Sequence, residues 1–151
     1  MELIDAATLE IQANEVLSLT SALDVNNYII NDYSGSVTEA TLINNNTGVR
    51  VALSENLGSG RSYQFLVKGL EDALGNHGNE ESFEVFVLED ARLGDLVINE
   101  ILFNPETGGA DFVEILNISE KFLTLETLVL ANLDKQELET ITYNEILKPG
   151  E

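Results

Sequence analysis

Between Glu71 and Glu80 the chain gathers Glu71, Asp72, Asn76, Asn79 and Glu80. Side chains of these types are what a hard cation needs, because calcium takes roughly six to eight oxygen ligands from carboxylates, amides and carbonyls. Their spacing matches no regular ligand loop, and Asp and Asn in turns commonly bond their own backbone. The stretch is therefore read as a turn, with no metal ligand assigned. A second set, Glu100, Asp111 and Glu114, could supply an acid and base of glycosidase type, which requires two carboxylates facing each other across a cleft. A Ser-His-Asp arrangement would need His77, the single histidine, as its base. Lying between Asn76 and Gly78, His77 reads as an exposed loop residue instead. Gly58-Ser59-Gly60 and Gly108-Gly109 lack both the following Lys-Ser/Thr and the strand-to-helix setting that make a phosphate cradle. No catalytic, cofactor-binding or metal-binding residue is assigned, and no cofactor is expected.

The elements that would position these residues are strands. Apolar groups alternate with polar ones at Leu9 and Ile11, Val16 to Thr20, Tyr28 to Ile30, Ser36 to Ile43, Val49 to Leu53, Tyr63 to Lys68 and Phe83 to Val87. Turn signals separate them: Ala13-Asn14-Glu15, Asp24-Val25-Asn26-Asn27, Asn31 to Gly35, Asn44 to Gly48, Gly58 to Gly60 and Gly75 to Asn79. Short strands at intervals of about 8 to 12 residues, with no sustained helical period, predict a β-sandwich over residues 1–90. Alternation places Leu17, Leu19, Val51, Leu53, Phe65, Val67, Val85 and Val87 in its core. Further on, the apolar runs Leu96 to Phe103 and Phe112 to Ile118 flank a Pro105-Glu106-Thr107-Gly108-Gly109 break and predict a hairpin. Phe122 to Leu125, Leu128 to Asn132 and Ile141 to Tyr143 are later strand candidates, with a turn at Asp134-Lys135. Glu89 to Gly94 reads as a tight junction between two domains.

The hairpin stretch resembles the lamin-tail domain, an immunoglobulin-like sandwich. The matching residues are Val97-Ile98-Asn99-Glu100-Ile101, Asn104-Pro105, Asp111-Phe112-Val113-Glu114-Ile115 and Asn117-Ile118-Ser119. Glu100, Asp111 and Glu114 fall inside that motif, so the resemblance implies a structural role for them. Upstream, residues 16 to 87 resemble the bacterial Ig-like repeat of surface-layer and other exported proteins. That likeness is carried by Leu23-Asp24, Asn27-Tyr28, Val51 to Leu53, Leu57, Gly60, Tyr63, Val67, Gly69 and Asp72-Ala73-Leu74-Gly75-Asn76. The aromatic usual before the Asn-Tyr pair is absent, with Leu19-Thr20-Ser21 in its place, which leaves the register open. Together the resemblances imply an all-β chain: an immunoglobulin-like sandwich over 1–90, then the N-terminal part of a lamin-tail-like sandwich over 94–151. A part-domain is expected to leave strand edges without partners, to be completed by docking on the first domain, by strand exchange with a second copy or by disorder beyond about Asn132, with self-association the preferred outcome. Glu100 and Glu114, on otherwise apolar strand faces, are expected to accept hydrogen bonds from backbone amides or a hydroxyl.

Composition narrows the function. Seven Lys and Arg stand against 27 Asp and Glu, for a net charge of −20. The imbalance runs through the whole chain and repels phosphate backbones, so no nucleic-acid partner is expected. No segment is apolar enough for membrane insertion, and no leader opens the chain, since Glu2 and Asp5 follow Met1 at once. A piece of a longer exported protein, rather than a cytosolic one, is the preferred reading. Without cysteine, neither a disulfide framework nor a Cys-based metal site can form. Asn45-Asn46-Thr47 and Asn117-Ile118-Ser119 fit glycosylation acceptors but read as turn residues in a bacterial setting. Saccharide binding would call for exposed aromatics, for which Tyr33, Tyr63, Phe103 and Tyr143 are the dispersed candidates. The leading expectation is a non-enzymatic spacer, adhesion or binding module, extracellular or at the cell surface. The alternative is an accessory domain that binds substrate for, or anchors, a larger secreted hydrolase.

Overall fold

The computed structural model describes residues 1–103, 108–126, 128–132, 137–140 and 146–151, with side chains described at 1–103, 108–126, 128–131 and 146–151. Asn104-Pro105, the Asp134-Lys135 turn, the Ile141 to Tyr143 strand candidate and Tyr143 itself lie outside the described residues. The chain is all-β and divides into two compact units, Met1–Val87 and Leu88–Glu151.

The first unit pairs β1 (Glu2–Asp5), β2 (Thr8–Gln12), β4 (Val37–Ile43) and β5 (Gly48–Leu53) in one antiparallel sheet of order β1-β2-β5-β4. A second antiparallel sheet joins β3 (Tyr28–Ile30), β6 (Arg61–Val67) and β7 (Glu81–Val87) in order β3-β6-β7. Successive strand residues face opposite sides, so Leu9 and Ile11, Val49, Val51 and Leu53, and Tyr63, Phe65 and Val67 all turn inward. With Tyr28, Val85, Leu17 and Leu57 they form one buried cluster fed by both sheets. The Tyr28 and Phe65 rings stack at 6.4 Å. Each such side chain contributes about 1.5–3 kcal/mol through burial.

Two core expectations change. Leu19 is 63% exposed, because Leu19–Ala22 forms a single helical turn, α1, and not a strand. Ala22 N–H donates to Ser18 C=O and Leu23 N–H to Leu19 C=O. The turn buries Ser21 and Ala22 and sends Leu19 outward, an exchange of faces that strand alternation cannot anticipate. Val87 is half-buried and packs against the edge of the cluster. The predicted turns form as their chemistry requires: Asp24 Oδ1 accepts the Asn26 N–H at 3.0 Å, and Asn44, Asn45 and Asn46 all take positive φ. Asn is the residue, after glycine, that tolerates that region best.

In the second unit, β9 (Leu96–Leu102) and β10 (Phe112–Asn117) form the predicted antiparallel hairpin. Its register shifts between Glu114 and Ile115, because Glu100 pairs with Glu114 while Ile98 pairs with Ile115. Asn99 is thus the extra residue of a β-bulge. A small sheet joins β8 (Glu89–Asp90), β11 (Leu123–Thr124) and β14 (Ile146–Leu147), with β11 parallel to β8 and antiparallel to β14. A further antiparallel pair consists of β12 (Val129–Asn132) and β13 (Glu137–Thr140). The Glu89 to Gly94 stretch, read above as a junction, therefore contributes a strand to this unit. Among the described residues of this unit, Leu123 and Leu147 are the buried aliphatic side chains, and Asp95 and Asn117 the buried polar ones.

Candidate functional site

The loop from Glu71 to Glu80 connects β6 to β7 and folds back on itself through Asp72. Its Oδ1 accepts the N–H groups of Leu74 and Asn76, each at 2.8 Å, and its Oδ2 accepts from Asn76 Nδ2 at 2.6 Å. Gly75 N–H donates to Asp72 C=O, and Gly75 itself takes a φ of +86° that a side chain would resist. Donation first from the Asn76 side chain and then from its N–H holds the Asp72 carboxyl below the usual carboxylate range. Both oxygens of the best ligand candidate are thus committed inside the turn.

The same loop is fastened to the segment before α1. Ser18 N–H donates to Glu71 C=O at 2.8 Å, Ala73 N–H to Val16 C=O at 3.0 Å, and Glu71 N–H to Ser21 Oγ at 2.9 Å. His77 is exposed and stands 3.4 Å from Glu71 Oε1 through Nδ1. Asn79 and Glu80 point to solvent. The loop therefore brings Glu71, Asp72, Asn76 and His77 together as a staple, and leaves Asn79 and Glu80 apart. Among the described residues, no three His, Asp or Glu side chains converge as a metal site would require.

Glu100 and Glu114 face each other across β9 and β10, and both are exposed, as is Asp111. Glu114 accepts a hydrogen bond from the Asn99 side-chain amide. That partner is a side chain supplied by the bulge, where a backbone amide or a hydroxyl had been expected. The bulge turns Asn99 toward the same face as its neighbour Glu100. An apolar groove of about 210 Å³ in this unit is lined by Leu96, Val97, Ile98, Ile115, Leu128, Val129 and Leu130 and includes none of the three carboxylates.

Of the aromatics, Tyr63 is buried, with its oxygen accepting from Gly58 N–H. Phe103 stands 80% exposed. Tyr33 is pinned at its hydroxyl, which donates to Glu55 C=O at 2.6 Å and accepts from Glu55 N–H at 2.9 Å. Together with β3 and Lys68 it lines a groove of about 440 Å³. The sequence singled out Tyr33 but not Lys68, whose signal is only that a cation stands in so acidic a chain.

A polar knot in the second unit also escaped the sequence reading. Asn117, fully buried, donates through Nδ2 to Lys121 C=O at 2.7 Å and to Leu147 C=O at 3.1 Å. Its Oδ1 accepts from Ser119 N–H and Oγ. Its backbone N–H donates to Glu151 C=O, and its C=O accepts from Gly150 N–H. Burial excludes a glycan on this side chain, although it heads an acceptor triplet. Beside it, Lys121 Nζ lies 3.2 Å from Asp95 Oδ2 and 3.3 Å from Glu89 Oε1. The Arg92 N–H first, and Lys121 next, hold the Asp95 carboxyl low, while Asp95 and then Glu89 raise the Lys121 ammonium. Among the described residues no helix is long and apolar enough to cross a membrane, which says nothing of a β-barrel.

No protein-family model matches the sequence, and no curated protein matches it. Solved structures of an S-layer protein do resemble the fold. Against the structure of the S-layer protein rSbsC(31-844) the TM-score is 0.50 at 16% identity, over 89% of this chain and 20% of that one. Against surface layer protein SbsC, domains 1-6, it is 0.51 at 15% identity, over 92% and 21%. The N-terminal part of the bacterial S-layer protein SbsC gives 0.49 at 16% identity, over 92% and 36%. The chain spans about a fifth to a third of the structures it resembles, and at these identities the likeness is one of fold.

Proposed function

We propose that the chain is a non-enzymatic β-sandwich module of an exported or cell-surface bacterial protein, in which it acts as a spacer carrying other parts of that protein away from the surface. One observation carries this reading: the side chains best suited to chemistry are spent on structure. Asp72 closes a staple, Glu114 is held by the bulge, and Asp95 is tied to Lys121. The fold likeness to surface-layer protein fragments supports the location. Within this reading the Ig-like domain expected over 1–90 ends at Val87, since Glu89 and Asp90 pair with Leu123 and Thr124 of the second unit, and 94–151 is the N-terminal part of a lamin-tail-like domain, with motif residues 97–101 and 112–117 on the β9–β10 hairpin. Labelling of intact cells that carry the full-length protein, with an antibody raised against this chain, tests the location. Staining of unpermeabilised cells is expected, and staining only after permeabilisation overturns the reading.

Self-association belongs to the same proposal. Ile98 and Ile101 on β9 are 57% and 54% exposed, and Phe103 beyond them is more so. Apolar groups left in water at a strand pair favour pairing with another chain. Light scattering is expected to show a mass that rises with concentration, and a monomer at all concentrations removes this part of the proposal.

A further inference from the structure

Among the described residues, strand β3 is the last strand of its sheet, with β6 on one side only. Lys68 N–H donates to Asn27 C=O, and Asn31 N–H donates to Gln64 C=O. With Ile30 opposite Phe65, the 27/68, 29/66 and 31/64 pairs are the hydrogen-bonded ones, and antiparallel pairs alternate. The peptide groups of Tyr28 and Ile30 therefore point away from β6. Tyr28 N–H is used by Val25 C=O. That leaves Tyr28 C=O, Ile30 N–H and Ile30 C=O, which no described residue pairs. Against this edge lies the 440 Å³ groove, with Tyr33 and Val37 as apolar walls and Lys68 near the Tyr28 end. Arg50, Arg92 and Lys121 each have a carboxylate at salt-bridge distance, whereas Lys68, like Arg61, has none among the described residues, and of these two Lys68 lines the groove. In a chain with 27 carboxylates that is a site of charge complementarity for an incoming one.

We infer that the open edge of β3 docks an extended peptide segment bearing a carboxylate. The segment adds to β3-β6-β7 as a fourth strand and pairs with the three free backbone groups. Its apolar side chains lie against Tyr33 and Val37, and its carboxylate rests on Lys68. Main-chain pairing at a sheet edge gives affinity and flanking pockets give selectivity. Tyr33 is suited to be a fixed wall because its hydroxyl is held at both ends by Glu55 and its ring packs over Gly35, where a Cβ would collide with it. The general repulsion from a net charge of −20 is screened over about 8 Å at physiological salt, while the contact at Lys68 is local. The inference is independent of where the protein resides, so failed surface labelling leaves it standing, and its own failure leaves the proposed location untouched.

Amide chemical shifts of the isotope-labelled 151-residue chain, titrated with the blocked peptide acetyl-Val-Thr-Val-Asp-amide to about 10 mM, test it directly, since a contact this small binds in the millimolar range. Saturable shifts are expected at Ile30, Ser36 and Lys68. The affinity is expected to fall about fivefold when the peptide's Asp is replaced by Asn, and equally in Lys68→Gln, as befits one half-exposed ion pair. Unchanged shifts across β2 and β5 verify that the variant is folded. Absent or non-saturating shifts at these amides overturn the inference, as does binding that ignores both replacements. Glucuronate shifting the same amides where the peptide does not would make the groove a saccharide site and overturn it equally.

Discussion

The two units solve the same problem by different means. In the first, two sheets close on a single apolar cluster in which Leu9, Val49, Val51 and Phe65 have no exposure, and the Ser21 and Tyr28 hydroxyls buried with it donate to the backbone carbonyls of Ser18 and Ala22. In the second, the buried aliphatic pair Leu123 and Leu147 is joined by Asn117 and Asp95, and the segments are held by side-chain bonds to backbone. The β9–β10 hairpin meanwhile leaves Ile98 and Ile101 more than half exposed. An apolar core is non-directional and degrades in proportion to the area lost. A polar knot fails abruptly, because removing one partner strands several buried groups at once.

The largest expected effect that separates the two is Phe65→Ala, which empties the middle of the first core. It should lower that unit's stability by about 3–5 kcal/mol in urea denaturation followed by amide signals of β2 and β5, with the second unit's signals unmoved. Asn117→Ala is the reciprocal experiment. It leaves Lys121 C=O, Leu147 C=O and Ser119 N–H without their partner and should cost roughly 2–3 kcal/mol, read at the amides of Ile118 and Gly150 and absent from β5. An equal loss in both units from either variant would abolish the distinction.

A smaller effect is pH dependence. Asp95 and Asp72 have folded values below their unfolded ones, so the stability they contribute is present above about pH 4 and is lost as pH falls through the folded values. Lys121 is raised, so its contribution is present below about pH 10.4 and is lost as pH climbs through its folded value. Burial, with the nearby Asp24 charge, also raises the Tyr28 hydroxyl, and this adds an alkaline loss above about pH 10 confined to the first unit. Melting temperature against pH should therefore fall at both extremes. Asp95→Asn should flatten the acid arm for the second unit only.

The first unit was legible because alternation in β5, β6 and β7 and turn chemistry at Asp24, Asn44 and Asp72 agree with one another. Its one clear misreading, Leu19, arose where Val16 to Thr20 looks like a strand but is fastened to the Glu71 loop and turns helical, a tertiary constraint with no local signature. In the second unit the hairpin was legible, whereas β13, β14 and the role of Asn117 were not. The two residues of β14 carry no period, β13 has only four residues, three of them polar, and a buried Asn in an Asn-Ile-Ser triplet looks like any turn residue until Leu147, thirty positions on, is seen to accept its bond. The acidic loop was legible as a turn from Asp72 and Asn76, but the segment it staples was not.

Hydrogen exchange resolved along the whole chain tests the contrast between the units most directly. The slowest amides should lie in β2, β5 and β6, with a second, weaker set at Ile118 and Gly150 around Asn117, and the β9–β10 hairpin should exchange fastest of the long strands. Protection in β9 and β10 equal to that in β5 would contradict the account, since it would mean that the second unit is closed by an apolar core like the first.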